Sequence, residues 1–225
     1  MAKSFSVFQI ARAYGRSRFL RLKVALKLAI DPLFETAWKF IVLRGAPVVE
    51  IGCGLGLLGI TMRAAGLVER YRGSDTSVWK INKAKQAMRY FGFEEVGYEV
   101  NDALSTQIPA GATVCLFDSL HLLPPDEQES LLDRLAGAAE SGSLVLIRTA
   151  FRNSGLRYYS TLLKEYSTRP GFWIRGGVIF FPERGELLAA FTRRGLQTAV
   201  SPLWGGMPFG GHLIVVERPL AAAKL

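Results

Sequence analysis

The sequence predicts a doubly wound α/β domain, a mostly parallel sheet with helices on both faces. Short apolar segments at residues 48–51, 71–74, 97–100, 113–117 and 144–148 alternate with helix-patterned stretches at 57–65, 78–91 and 126–138. Such alternation implies right-handed crossovers between parallel strands. The first strand runs straight into glycines at 52, 54 and 56. With 225 residues, 49% hydrophobic and 21% charged, the chain holds enough apolar surface for one large domain with an appendage.

That appendage is the N-terminal extension, residues 1–44. Residues 17–30 (SRFLRLKVALKLAI) set Phe19, Leu22, Leu26 and Ile30 at helical spacing, which predicts an amphipathic helix. Asp31 then caps a second helix, with Pro32 at its first position, that runs to about residue 43. The formal charge of +9 is concentrated here: residues 1–44 carry nine Lys and Arg against Asp31 and Glu35, whereas the rest carry 19 against 17. The body is nearly neutral, so the basic balance does not mark the whole chain as a nucleic-acid binder. On one continuous helix Arg12, Arg16, Lys23 and Lys27 fall within about 60 degrees, with Gly15 as a point of interruption. Residues 12–30 then suit three roles: a lid laid over a ligand by its leucine face, contact with an anionic membrane surface, or docking to an acidic carrier protein.

After the fifth strand come an aromatic-rich stretch at 151–181, a helix over 185–194, a strand over 197–203 and a last strand over 212–217. The glycine-rich turn between the final two strands is short enough for antiparallel pairing. The uncharged run 195–216 holds five glycines and two prolines, so it reads as strands and a turn and not as a membrane span. No secretory signal is read in the first ten residues. Cys53 and Cys115 are too few for a disulfide framework or a zinc cluster, so no metal and a cytoplasmic setting are expected.

The segment VVEIGCGLG (48–56) brings bare backbone close to a ligand at the end of a buried strand. Residues 54–59 also satisfy G-x-G-x-x-G, which makes an NAD(P)-dependent oxidoreductase a rival reading. Glu50 favours another ligand. Two residues before the first glycine, a carboxylate repels a pyrophosphate but attracts a ligand bearing an ammonium and a sulfonium. Asp75, at the end of the second strand, can accept from both ribose hydroxyls, and Asp102, after the third, from an adenine amino group. In an open parallel sheet such strand ends converge on one crevice.

On these residues, the stretch 46–217 resembles the class I S-adenosylmethionine-dependent methyltransferases. The resemblance implies a Rossmann-like, doubly wound seven-stranded sheet whose last strand is antiparallel, with S-adenosyl-L-methionine as cofactor. It implies that Glu50, Gly52, Cys53, Gly54 and Gly56 hold the methionine end, that Asp75 and Thr76 bind the ribose, and that Asp102 and Ala103 meet the adenine. FDSLHLLPP (117–125) is similar to the D-x-L-H-x-L-P stretch of small-molecule members, which implies that Asp118 and His121 face the methyl donor. For a hydroxyl acceptor, His121 is the first candidate to take the proton and Asp118 the second. The Asp- or Asn-Pro-Pro-aromatic pattern of enzymes that methylate base amines is missing, and neither cysteine follows a proline. Nucleic acid is therefore not the expected substrate.

Residues 151–181 hold eight of the 25 aromatic residues, where family members build a substrate cover. Tyr158, Tyr159 and Trp173, with Phe209 in the glycine-rich turn, are expected to meet a small apolar acceptor, aromatic or acyl-linked and presented on a carrier. Arg152 is expected to hold a carboxylate or phosphate on it. Lys27, Asp31 and Pro32 form a K-x-x-x-D-P pattern similar to methyltransferases of bacterial aryl-polyene pathways, which implies secondary metabolism. A noncatalytic membrane- or carrier-docking protein with the same core is the remaining rival.

Overall fold

The computed structural model describes residues 5–93, 96–152, 155–168, 178–204 and 208–219. The strands are β1 (Val48–Ile51), β2 (Tyr71–Asp75), β3 (Val96–Val100), β4 (Thr113–Phe117), β5 (Leu144–Thr149), β6 (Gln197–Pro202) and β7 (His212–Glu217). They form a seven-stranded sheet in the order β3-β2-β1-β4-β5-β7-β6. The pairs β1–β2, β2–β3 and β4–β5 are parallel, and β7 runs antiparallel to both β5 and β6. This is the doubly wound architecture the sequence predicts. Eight α-helices are described: α1 (Val7–Arg12), α2 (Arg18–Ile30), α3 (Leu33–Arg44), α4 (Leu57–Ala64), α5 (Val78–Phe91), α6 (Pro125–Glu140), α7 (Leu156–Thr168) and α8 (Arg184–Thr192). None of the described helices is long and apolar enough to cross a membrane.

The chain forms two compact units, Met1–Gln107 with Leu203–Met207, and Ile108–Pro202 with Pro208–Leu225. In the first, β1 is buried at every position, as expected of a parallel strand covered on both sides. Every residue of α4 except Arg63 is buried. Ser77 caps α5 by accepting from Lys80 N–H, and Gly92, in the left-handed region at φ 68°, ends it.

The N-terminal helices differ from expectation in three ways. Gly15, at φ 99°, turns the chain between α1 and α2, so Arg12 and Arg16 lie outside α2 and the continuous basic stripe does not form. Helix α2 buries Leu20, Val24 and Ala25, while Phe19, Leu22, Leu26 and Ile30 are exposed. Two apolar stripes share this helix, and the one with the smaller side chains is packed inward. Pro32 stands at the cap position before α3 and not within it, with Oδ1 of Asp31 accepting from Leu33 N–H at 3.1 Å.

In the second unit, α6 opens with Pro125 and carries Asp126 and Glu127 in its first turn, where the helix dipole favours negative charge. Helix α7 falls in the aromatic stretch that sequence reading treats as a substrate cover, where no helix is expected from the apolar periodicity. Its inner face is Tyr158, Thr161, Leu162 and Glu165, whereas Leu156, Tyr159, Leu163 and Tyr166 point outward. The spacing is helical, but the inner face mixes polar with apolar side chains while the outer face also carries apolar ones, unlike the usual pattern.

Candidate functional site

The first unit gathers the expected cofactor residues around the end of β1. Gly52, Gly54 and Gly56 all take positive φ, at 72°, 56° and 70°, a left-handed path that residues with side chains rarely follow. Cys53 N–H donates to the Ser74 carbonyl at 2.8 Å, and Gly54 N–H donates to Oδ2 of Asp75 at 2.9 Å. The loop is thereby folded back on the end of β2. Asp75 is buried; its Oδ1 accepts from Ser77 N–H at 2.8 Å, and its Oδ2 lies 3.5 Å from Nζ of Lys80. It is both a clasp on the glycine loop and a cap at the start of α5. Thr76, next to it, is exposed. Asp102 closes its own turn after β3: Oδ1 accepts from Leu104 N–H at 2.9 Å, and its carbonyl accepts from Oγ1 of Thr106 at 3.0 Å. Thr106 is in turn 2.8 Å from the Ser74 hydroxyl, which ties this turn to β2, and Ala103 is half-buried.

Three buried tyrosines hold the loop from behind, and sequence reading missed all of them. Tyr71 O–H donates to Oε2 of the buried Glu50, Tyr98 O–H to the Gly56 carbonyl at 2.6 Å, and Tyr14 O–H to the Leu55 carbonyl at 2.9 Å. The register explains how the first of these bonds forms. Glu50 pairs with Gly73, and Gly73 with Tyr98; a Cβ at Gly73 would sit 2.6 Å from the Tyr71 hydroxyl. Glycine there leaves the space through which Tyr71 reaches Glu50. The available signal was YRG in the second strand beside GY in the third. Burial first, and nearby acidic groups after it, push all three phenols upward, so they stay hydrogen-bond donors. Burial, then Glu50 and Asp75, also push the Cys53 thiol well up, which keeps it a protonated filler of the loop and not a nucleophile.

The second unit places Asp118 and His121 after β4. Asp118 has φ 53°, uncommon for a residue with a side chain. Its two oxygens accept from the buried Arg148, Oδ1 from Nε at 2.8 Å and Oδ2 from the terminal nitrogen, and its N–H donates to the Arg148 carbonyl at 3.0 Å. His121, in a 3-10 turn at Leu120–Leu122, is 2% exposed and stacks on Phe181 with ring centroids 4.6 Å apart. Its Nε2 is 3.5 Å from Oε2 of the buried Glu165 on α7. Neither ring nitrogen has a hydrogen-bond partner among the described residues. The His121 carbonyl accepts from Phe180 N–H at 2.9 Å, which fixes the segment carrying Phe181.

The expected acceptor residues are only partly brought together. Tyr158 packs edge-on against Phe181, in a small cluster with Ala150, Ile179 and Leu162. Arg152 is exposed and paired with Glu183, and with Tyr158 it lines a cleft bounded by α6 and α8. Tyr159 is exposed, Phe209 is half-buried, and Trp173 lies outside the described residues. The 208–210 segment is tied to α7, as Gly210 N–H donates to Oγ1 of Thr161 at 2.8 Å and Ser160 O–H to the Pro208 carbonyl at 2.6 Å.

A strand leading into three left-handed glycines, acids within β1, at the end of β2 and after β3, and a 3-2-1-4-5-7-6 sheet define a class I methyltransferase fold. The chain belongs to the methyltransferase domain family, whose profile matches residues 21–200. That membership decides against the oxidoreductase and noncatalytic rivals. Among solved structures, magnesium protoporphyrin IX methyltransferase from Synechocystis PCC 6803 with bound SAH is similar at 18% identity and TM-score 0.66, over 92% of each chain. The mitomycin 7-O-methyltransferase shares 20% identity at TM-score 0.62, over 96% of this chain and 61% of that one. An O-methyltransferase from neocarzinostatin biosynthesis, in complex with S-adenosylmethionine and 2-hydroxy-5-methyl naphthoic acid, shares 21% at TM-score 0.55, over 79% and 50%. No curated protein matches the chain.

Proposed function

We propose that the protein transfers the methyl group of S-adenosylmethionine to a small apolar acceptor, aromatic or acyl-linked. The observation that carries this reading is the left-handed glycine loop, clasped by Asp75 and backed by the buried carboxylate of Glu50. A buried negative charge favours a cationic ligand over a pyrophosphate. Glu50, Gly52, Cys53, Gly54 and Gly56 hold the methionine end, Asp75 and Thr76 the ribose, and Asp102 and Ala103 the adenine. The bound cofactor supplies a methyl group already activated by its sulfonium. The protein's work is then alignment and exclusion of water. Tyr14 brings the N-terminal segment onto the glycine loop and makes the α1–α2 turn its lid.

The aromatic cluster of Tyr158 and Phe181 supports an apolar acceptor, as does the naphthoic acid in the neocarzinostatin enzyme. For a hydroxyl acceptor, His121 takes the proton and the adjacent Glu165 stabilises the imidazolium. Phe181 covers His121, so the acceptor enters by displacing that ring. Asp118, engaged by Arg148, shapes the end of β4 and is the weaker candidate base. The absence of a disulfide between Cys53 and Cys115 suits a cytoplasmic setting, and the acceptor class suits secondary metabolism.

Calorimetric titration with S-adenosylmethionine and with NADH tests the cofactor: binding of the first alone is expected, and binding of the second alone overturns the reading. Host extract incubated with enzyme and isotope-labelled donor should then show a product heavier by one labelled methyl group. Full turnover by His121→Ala with cofactor binding intact removes its role as base.

A further inference from the structure

We propose that α2 seats the protein on an anionic membrane surface, with Phe19, Leu22, Leu26 and Ile30 entering the headgroup region and the flanking basic side chains meeting lipid phosphates. The four apolar side chains are 78%, 58%, 50% and 53% exposed. At about 100 degrees per residue they fall within roughly 80 degrees of one another and run for about 17 Å along the helix. Lys23 and Lys27 border this stripe on one side, Lys27 also lying 3.4 Å from Oδ2 of Asp31 at the end of the helix, and Arg18 borders it on the other. The layering is that of an interfacial helix: apolar side chains at the crest, cations beside them at headgroup level. Leu20, Val24 and Ala25 pin the opposite face to the protein, so the crest is presented without unfolding.

Charge selects the occupant. Residues 1–30 hold seven Lys and Arg and no acid, so a second copy of the same face would bring like charges together. An anionic bilayer instead offers a flat field of phosphates to both borders of the stripe and an apolar layer to its crest. An acidic carrier protein would match the borders, but the crest is a convex ridge that asks for a soft, deformable partner. An exposed apolar row of this size on a basic helix is otherwise a liability in water.

Flotation of the full chain with vesicles tests the proposal. Binding is expected to vesicles of phosphatidylcholine and phosphatidylglycerol, to be weaker by roughly tenfold or more on phosphatidylcholine alone, and to fall as salt is raised. Phe19→Ser with Leu26→Ser should weaken binding to the anionic vesicles by roughly tenfold or more, with melting temperature and cofactor titration unchanged. Failure to float with anionic vesicles overturns the proposal, as does a double variant that floats like the wild type. Retention by an immobilised acidic acyl-carrier protein without vesicle binding overturns it in favour of a protein partner. The cofactor titration is read separately, so this surface and the methyl-transfer reading fail independently.

Discussion

The two units solve the problem of holding a site by different means. In the first, backbone does most of the work: three glycines turn the chain, and Gly54 N–H, the Leu55 carbonyl and the Gly56 carbonyl are the groups that buried side chains grip. In the second, side chains hold side chains. Asp118 is fixed by Arg148 and His121 faces Glu165, partners 30 and 44 residues away. A backbone cradle suits a ligand of fixed shape. Paired side chains can be exchanged without rebuilding the loop, which fits the proposed role of the second unit in meeting the acceptor.

The contrast breaks most sharply at Gly56. A Cβ there would lie 2.3 Å from the Tyr98 ring, on a backbone at φ 70°. Gly56→Ala should cost about 3 kcal/mol from strain and overpacking together, and cofactor affinity should fall on the order of a hundredfold because the loop is displaced. Gly142→Ala in the second unit is the control. Its φ is 88°, yet nothing lies within 4 Å of the added carbon, so denaturant melts should show a loss of only about 1 kcal/mol, with cofactor binding unchanged.

Next in size is Arg148→Met, which leaves Asp118 without its guanidinium and should destabilise by about 2–3 kcal/mol, the carboxylate being partly exposed. Adding Asp118→Asn should recover most of that loss. If Arg148→Met instead abolished cofactor binding while the fold survived, the division of labour between the units would be wrong. Asp75→Ala is the mirror experiment in the first unit. It removes the acceptor for Gly54 and Ser77 N–H as well as the proposed ribose contact, so affinity for S-adenosylmethionine should drop by roughly thirtyfold, or about 2 kcal/mol.

The same contrast decides what the sequence could reveal. Glycines at alternate positions after an apolar strand, and acids at the ends of the next two, are local patterns, and the order of strands and helices follows from apolar periodicity. The tyrosines that grip the loop are invisible because each is bound to a group 21 to 42 residues away, Tyr71 and Tyr98 through strand register and Tyr14 from the turn after α1. Helix α7 was hidden for a different reason. Thr161 and Glu165 occupy buried positions while Leu156 and Leu163 face water, so apolar periodicity marks no single inner face. In α2 two apolar stripes satisfy the same spacing, and only packing chooses between them. Asp118 and His121 were found by resemblance to a motif, but their partners Arg148 and Glu165 carry no signature of their own.

The smallest expected effect separates the units by pH. Both histidines of the chain lie in the second unit, whereas the raised Tyr14, Tyr71, Tyr98 and Cys53 all lie in the first. Burial, and then Arg184, hold His212 below its ordinary 6.5. Its neutral form is favoured in the fold, so its contribution is complete above about 6.5 and declines as acid protonates the unfolded chain first, levelling off below the folded value. The first unit behaves oppositely. Its phenols and thiol stay protonated in the fold, so their contribution is complete below the ordinary tyrosine and cysteine ranges and is lost as pH rises through them towards the folded values. Thermal melts of the wild type and His212→Gln should therefore converge at neutral pH and separate slightly in mild acid, the variant losing less. Calorimetric cofactor affinity should be the same for the wild type and His212→Gln across that range; an affinity that separates along with the melts would couple His212 to the cradle.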